Sequence, residues 1–316
     1  MQSNTPVVNA GLSRRRLLRF ALGSGAGTMG LLGLAALSGC TTIPESSAIS
    51  ATGQASAPAT ASASVPASGP TKTSSSAEPL FSPSLSKKEA TAQFGRRAPG
   101  QFGLEVPGIQ LALPSGAKGV ALTFDACGGA HGSTMDHQLI EALRTHKTPA
   151  TLFVNQRWAR RNPKLLTELI ADPLFEIANH GTQHAPLSVA GQQAYGIPGT
   201  GSVAQAYDEI VLNQRYLAQE FGVQARFFRS GTAHMDQVGV ALCRKLGLVP
   251  MNFTVNMDAG ATFPAASVTA QVSAMKPGDV GIGHFNQPNS GTARGVDRGL
   301  KKLAENGIKV VRLTAA

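Results

Sequence analysis

Two histidines four residues apart close the stretch Phe175-Glu-Ile-Ala-Asn-His180-Gly-Thr-Gln-His184. The first part reads as a short strand ending at His180, and His184 falls in the turn that follows. Two imidazoles placed this way can converge on one divalent ion. They do not stand alone. Asp125 ends another strand candidate, Leu122-Thr-Phe-Asp125, and His284 ends a third, Gly281-Ile-Gly-His284. A carboxylate and an imidazole beside a metal pair are the groups of metal-assisted acid–base chemistry. Taken singly, each residue has a plainer reading. Asp125 could cap a strand end, Arg229 could form a structural ion pair, Asp258 could make an Asx turn, and His284 could be a satisfied core histidine.

The elements that must position these residues alternate. Val120–Phe124 is a strand candidate, followed by a helix that Thr134 could cap and that runs through Arg144. Ala150–Val154 is the next strand. Asn162-Pro163 opens a helix through Ala171, with proline in the first turn. After strand 175–179 comes a glycine-rich insertion, Gly191–Gly201. A long amphipathic helix follows from Ser202 to Phe221, with Val203, Tyr207, Ile210, Leu217 and Phe221 on one face and Gly222 beyond its end. Strand 225–228, helix 236–246 and strands at 249–254, 280–284 and 309–313 complete the pattern. Such βα alternation predicts an α/β fold with a mainly parallel sheet, closed or doubly wound. Ligands in such folds sit at the C-terminal ends of the strands. Asp125, His180, Arg229, Asp258 and His284 all fall there.

The whole chain has 316 residues and a formal charge of +10. Residues 1–40 hold four arginines and no acid, with Ser13-Arg14-Arg15-Arg16-Leu17-Leu18-Arg19 as a twin-arginine signature. The glycine-rich stretch behind it matches an export signal better than a permanent membrane helix. It ends in Leu37-Ser38-Gly39-Cys40, which resembles a lipobox and marks Cys40 for lipidation. The expected product is a membrane-anchored lipoprotein facing the periplasm or cell exterior, since several acyl chains anchor firmly. Residues 41–104, rich in Ser, Ala, Thr and Pro, are expected to form a disordered tether. Residues 105–316 form the folded domain, with 19 basic and 15 acidic residues. No basic run interleaved with aromatics marks a nucleic-acid surface, and the domain is expected to be a monomer. Cys243 lies on a helix and reads as a buried thiol. Trp158 reads as packing, and His131, His137, His146 and His234 as surface or loop residues.

Thr123-Phe-Asp125, Asn179-His-Gly-Thr-Gln-His184, Phe228-Arg229-Ser-Gly-Thr232, Asp258 and Gly283-His284 resemble, in order, the motifs of the polysaccharide deacetylase family. The resemblance covers nearly all of residues 118–316. It implies a distorted (β/α) barrel and metal-assisted removal of N-acetyl groups from polymers of N-acetylhexosamine. It implies that His180, His184 and Asp125 bind a divalent metal, usually zinc, and that Asp125 is the base that deprotonates the attacking water. Arg229 would hold that carboxylate ionised, and a backbone N–H near Thr232 would serve the oxyanion. His284 would protonate the leaving nitrogen, with Asp258 keeping it charged. Two departures stand out. The family's second aspartate, a metal ligand, is Ala126 here. Either Asp125 does both jobs, or Cys127, His131, Asp136 or His137 substitutes, or the metal is weak or absent. The third motif lacks the family's proline and aromatic, so the sugar platform differs. The other readings are a catalytically inactive glycan-binding lipoprotein of the same fold and an amide hydrolase of a small substrate.

Overall fold

The structure is a computed structural model that describes residues 81–316. The twin-arginine segment, Cys40 and most of the expected tether lie outside the described residues. Among those described, no helix is long and apolar enough to cross a membrane.

The first half of the domain forms α1 (Lys87–Phe94), β1 (Phe102–Gly103), β2 (Gly119–Ala126), α2 (His137–Thr145), β3 (Ala150–Val154), α3 (Gln156–Arg161), α4 (Pro163–Ala171) and β4 (Phe175–Asn179). The second half forms α5 (Val203–Phe221), β5 (Phe227–Phe228), a 3₁₀ turn (Gly231–Ala233), β6 (Met235–Asp236), α6 (Gln237–Lys245) and β7 (Val249–Pro250). It ends with β8 (Val255–Asn256), α7 (Ala265–Ser273), β9 (Val280–His284), α8 (Thr292–Glu305) and β10 (Lys309–Val310). Seven strands pair in the order β7-β5-β4-β3-β2-β9-β8, and β10 joins β2. Every pairing in this sheet is parallel. Parallel neighbours need a crossover, and the helices between strands supply it. The architecture is the distorted (β/α) barrel expected from the sequence.

Alternation along the strands sorts the core into two faces. Val120, Leu122, Phe124 and Ala126 of β2 and Leu152 and Val154 of β3 join the cluster that carries Leu139, Leu143, Val296 and Leu300 of the helices. Ala121, Phe153, Ala178, Phe227 and Val280 form a separate inner cluster drawn from five strands. A third cluster joins α1, α5 and α6.

The fold begins earlier than position 105. Ser86 caps α1 in a reciprocal box with Glu89, satisfying two otherwise unpaired N–H groups. Ala90 and Phe94 are buried, and the Tyr207 hydroxyl donates to the Leu85 carbonyl at 2.9 Å. The apolar residues of this stretch are few, but they are spaced to meet α5. Thr134 does not cap α2. Asp136 does, accepting from the Leu139 N–H at 3.1 Å, while the Thr134 hydroxyl donates to Asn286 O. Pro163 starts α4 as expected, but Asn162 makes no side-chain cap bond. Its amide donates instead to Ser133 O and Trp158 O. The strand expected over 249–254 is two residues long, because the chain leaves the sheet after Pro250 and rejoins it at Val255.

Candidate active site

The same alternation that sorts the core builds the site. Asp125 is four residues beyond the inward Ala121, and His180 is two beyond Ala178. Arg229 is two beyond Phe227, and His284 four beyond Val280. Even offsets keep a side chain on one face of a strand. The inner cluster therefore ends, at the C-terminal rim, in four polar side chains that face one another.

Asp125 and Arg229 form the centre. Arg229 is fully buried and donates from Nη1 to Asp125 Oδ1 at 2.6 Å. Its Nη2 donates to Thr123 Oγ1 at 3.0 Å and Asn252 O at 3.1 Å, and its Nε to Met251 O at 3.2 Å. Its guanidinium carbon lies 4.0 Å from the centre of the Phe153 ring. Burial alone would raise the Asp125 carboxyl, but Arg229, His180 and His284 outweigh it and hold the group below its ordinary value. Asp125 is thus a buried carboxylate kept ionised.

His180 sits where β4 leaves the sheet. Its Nδ1 donates to the Arg229 carbonyl at 3.0 Å, which turns Nε2 toward Asp125 Oδ2 at 3.5 Å and Cys127 Sγ at 3.8 Å. The next residue, Gly181, has φ +79, and a Cβ there would lie 2.3 Å from Glu209 Oε1. Only glycine fits that approach. Glu209 accepts from the N–H groups of Thr182, Gln183 and Ala185 and so fixes the loop that presents His184. The His180 and His184 rings lie edge to face at 4.9 Å. Asn213 and Asn179 extend this network, with Asn213 donating to Asn179 Oδ1 and Val154 O. Sequence reasoning missed Glu209 and Asn213. Both lie on α5, whose apolar face was legible. The signal available was a pair of polar residues, four apart, beside that face.

His284 is held from the other side. Its Nδ1 and its backbone N–H both meet Asp258, at 3.0 and 2.7 Å. The Thr292 hydroxyl donates to the same carboxylate at 3.0 Å. Burial would lower the His284 ring, but hydrogen bonds to Asp258 and Cys127 raise it well above its ordinary value. Asp258 is therefore a partner of His284 and fully buried, not a free Asx turn.

Thr232 and Ala233 line the same cavity in the left-handed region, at φ 62 and 61. So do His184, Tyr195 and Ala259, at φ 65, 51 and 49. Strain of this kind costs about 1–3 kcal/mol per residue and gathers where function requires it. The cavity has a volume of about 630 Å³, within the usual range for a ligand site.

Three ligand atoms, from Cys127, His180 and His184, lie within 4.8 Å of one another. Two imidazoles and a thiol are a donor set that suits a catalytic metal, with three protein ligands and room for one more group. The hydrogen bond from His180 Nδ1 to a backbone carbonyl is the support a ligating histidine normally has. A divalent metal fits these residues. Of the other candidate third ligands, Asp136 is occupied as the cap of α2. His131 and His137 are exposed. His146 pairs with Asp297 at 2.8 Å, and His234 Nδ1 meets Thr232 O. Trp158 is buried and donates to Thr134 O. Cys127 and Cys243 are not disulfide-bonded.

Residues 112–251 match the family model described as polysaccharide deacetylase. Over that stretch the domain is similar to the polysaccharide deacetylases. Two chitooligosaccharide deacetylases are similar to it. The one from Sinorhizobium fredii is 33% identical over 25% of this chain and 35% of its own length. The one from a Bradyrhizobium species is 26% identical over 55% and 74%. The chain thus spans about a third of the first relative and about three quarters of the second. A family 4 carbohydrate esterase from Streptomyces lividans, solved in complex with acetate, superposes with a TM-score of 0.51 and 26% identity, covering 63% of this chain and 94% of that one. A family 4 pseudoenzyme from Bacillus anthracis shares the fold with a TM-score of 0.54 and 21% identity, over 66% of this chain and 67% of its own. One of these neighbours is described as a pseudoenzyme, so this domain has to be read from its own residues.

Proposed function

We propose that the domain is a metal-dependent hydrolase that removes N-acetyl groups from an envelope or extracellular glycan containing N-acetylhexosamine. The observation that carries this is the pair of titratable groups facing one cavity with opposite shifts. Asp125 is held ionised by Arg229, and His284 is held protonated by Asp258. Groups whose environments drive them apart in this way make a base and an acid that coexist at one pH. Amide hydrolysis needs both. Asp125 takes a proton from the attacking water, and His284 gives one to the departing nitrogen. Arg229 fixes the carboxylate in place, and Asp258 fixes the imidazole. The backbone turn at Thr232 lines the cavity where charge would develop on the carbonyl oxygen. A divalent ion, zinc by the donor set, would be held by His180, His184 and a third donor, and would supply Lewis acidity toward the amide carbonyl.

The substrate class follows the relatives, which are named chitooligosaccharide deacetylases, and the esterase that holds acetate. Export by the twin-arginine route and a lipid anchor at Cys40 would put the domain, as a monomer, on the outer side of a membrane, beside glycan. One residue favours the alternative, a glycan-binding lipoprotein without turnover. Ala126 stands where the family has a metal-binding aspartate.

Acetate release from N-acetylated chitooligosaccharides and from peptidoglycan separates the two. Turnover is expected in the parent protein, and Asp125→Asn should lower kcat/KM by about 10²–10⁴-fold with the fold intact. Glycan binding without acetate release by the metal-loaded parent would establish the silent reading.

A further inference from the structure

The departure at Ala126 is resolved one residue further on. Ala126 is buried in the helix-facing cluster with Val120, Leu122 and Phe124. Strand residues two apart share a face, so the inward neighbour of Asp125 is Cys127, not residue 126. The chain then turns at Gly128, with φ +69, where a Cβ would lie 2.7 Å from the Trp158 N atom. The carbonyl of Cys127 is pinned by Arg157 Nη2 at 2.9 Å. The tight turn and that anchor leave the sulfur over the inner rim, 3.8 Å from His180 Nε2, and the three donors close to within 4.8 Å. Asp125 Oδ1 is held by Arg229 at 2.6 Å, while its Oδ2 faces His180 Nε2 at 3.5 Å, where a base would meet a water.

We propose that Cys127 is the third protein ligand of the metal, replacing the family's carboxylate with a thiolate. The site is then two imidazoles and one sulfur, with Asp125 left free of the metal. This rests on the metal-dependent reading above and deepens it. It also sets metal preference. A thiolate favours zinc, cobalt and other borderline or soft ions, whereas carboxylate sites suit magnesium, calcium and manganese. A two-histidine, one-thiolate site should therefore discriminate against manganese where a two-histidine, one-carboxylate site does not.

Cobalt(II) tests this without reference to turnover. The metal-free protein is titrated with cobalt, zinc and manganese beside Cys127→Ser and Cys127→Asp. The parent should bind one cobalt with a near-ultraviolet sulfur-to-metal charge-transfer band. Cys127→Ser should lose the band and more than about 100-fold in affinity, beyond the 10–100-fold cost of losing an outer partner. Cys127→Asp should recover binding without the band and move preference toward manganese. Its recovery would show that the substitutions leave the barrel folded. Cobalt bound by the parent with no charge-transfer band, or equal affinity in Cys127→Ser, would overturn the assignment. The band together with no acetate release would leave the ligand set standing and remove the hydrolase reading. Acetate release without the band would do the reverse.

Discussion

In the proposed mechanism, Asp125 and Arg229 are one pair that serves both stability and chemistry. Both are buried, and each neutralises the other. Such a pair adds little net stability over apolar residues, but losing one member strands a buried charge. Arg229→Met should therefore cost about 3–5 kcal/mol in denaturant unfolding, and Asp125 would respond by taking up a proton. The double variant with Asp125→Asn should recover part of that loss, since contacting sites do not add. Asp258 acts on His284, the proposed acid, in the same manner. His284 is raised well above its ordinary value chiefly by Asp258 among the charged groups. The acid works while protonated, so activity persists above the ordinary histidine pKa and falls as pH rises through the raised one. Asp258→Asn removes the negative partner and lowers that pKa. The alkaline limb of kcat/KM should then move to lower pH, and an unmoved limb would exclude His284 as the acid.

At the scale of elements, helix ends follow rules that expose one weak point. α6 and α8 are followed by Gly247 and Gly307, at φ 84 and 69, and the residue after each glycine donates back to the last turn, Leu248 to Cys243 O and Ile308 to Leu303 O. α2 ends with the same bond, Thr148 to Leu143 O, but its left-handed position is Lys147 at φ 50. That conformation costs a side-chain-bearing residue about 1–2 kcal/mol, and glycine is the usual occupant. Lys147→Gly should raise stability by about 1 kcal/mol, or about 2–4 °C in Tm for a domain of this size. It should leave activity unchanged, because Lys147 is exposed and does not line the cavity. The loop after β4 is the opposite case. Its left-handed His184 is held by contacts, with Glu209 accepting from three neighbouring N–H groups.

At the scale of the whole molecule, the chain divides between a described domain and an N-terminal region read from its sequence. The +10 charge lies partly in the four arginines of residues 1–40, so residues 105–316 are only mildly basic. If Cys40 carries the lipid, Cys40→Ser should shift the protein from the membrane to the soluble fraction in cell fractionation. A protein still in the membrane fraction would end the lipobox reading. The described domain begins near Leu85, so a chain cut at residue 105 would lose α1 and expose Tyr207 and its neighbours on α5. Residues 81–316 are the better unit for both titration and turnover.

The sequence by itself determined the strand and helix alternation, the barrel class, and the rim on which Asp125, His180, Arg229 and His284 stand. Period-two alternation and helix caps are local, and local patterns are written in consecutive residues. It also carried the parity that sets Cys127 on the face of Asp125, and it placed Cys127 among the groups that could replace the missing aspartate at 126. The Arg229–Asp125 and Asp258–His284 pairings were implied by the family resemblance, and only the tertiary structure showed Glu209 at the His184 loop and the distances at which all of these groups meet. Asp258 reaches His284 across 26 positions, Glu209 reaches the His184 loop across 26 or so, and Arg229 reaches Asp125 across 104. Such pairings depend on how parallel strands are ordered and where a helix lies against them. That order is set by the packing of two core faces at once, and no short stretch of chain contains it.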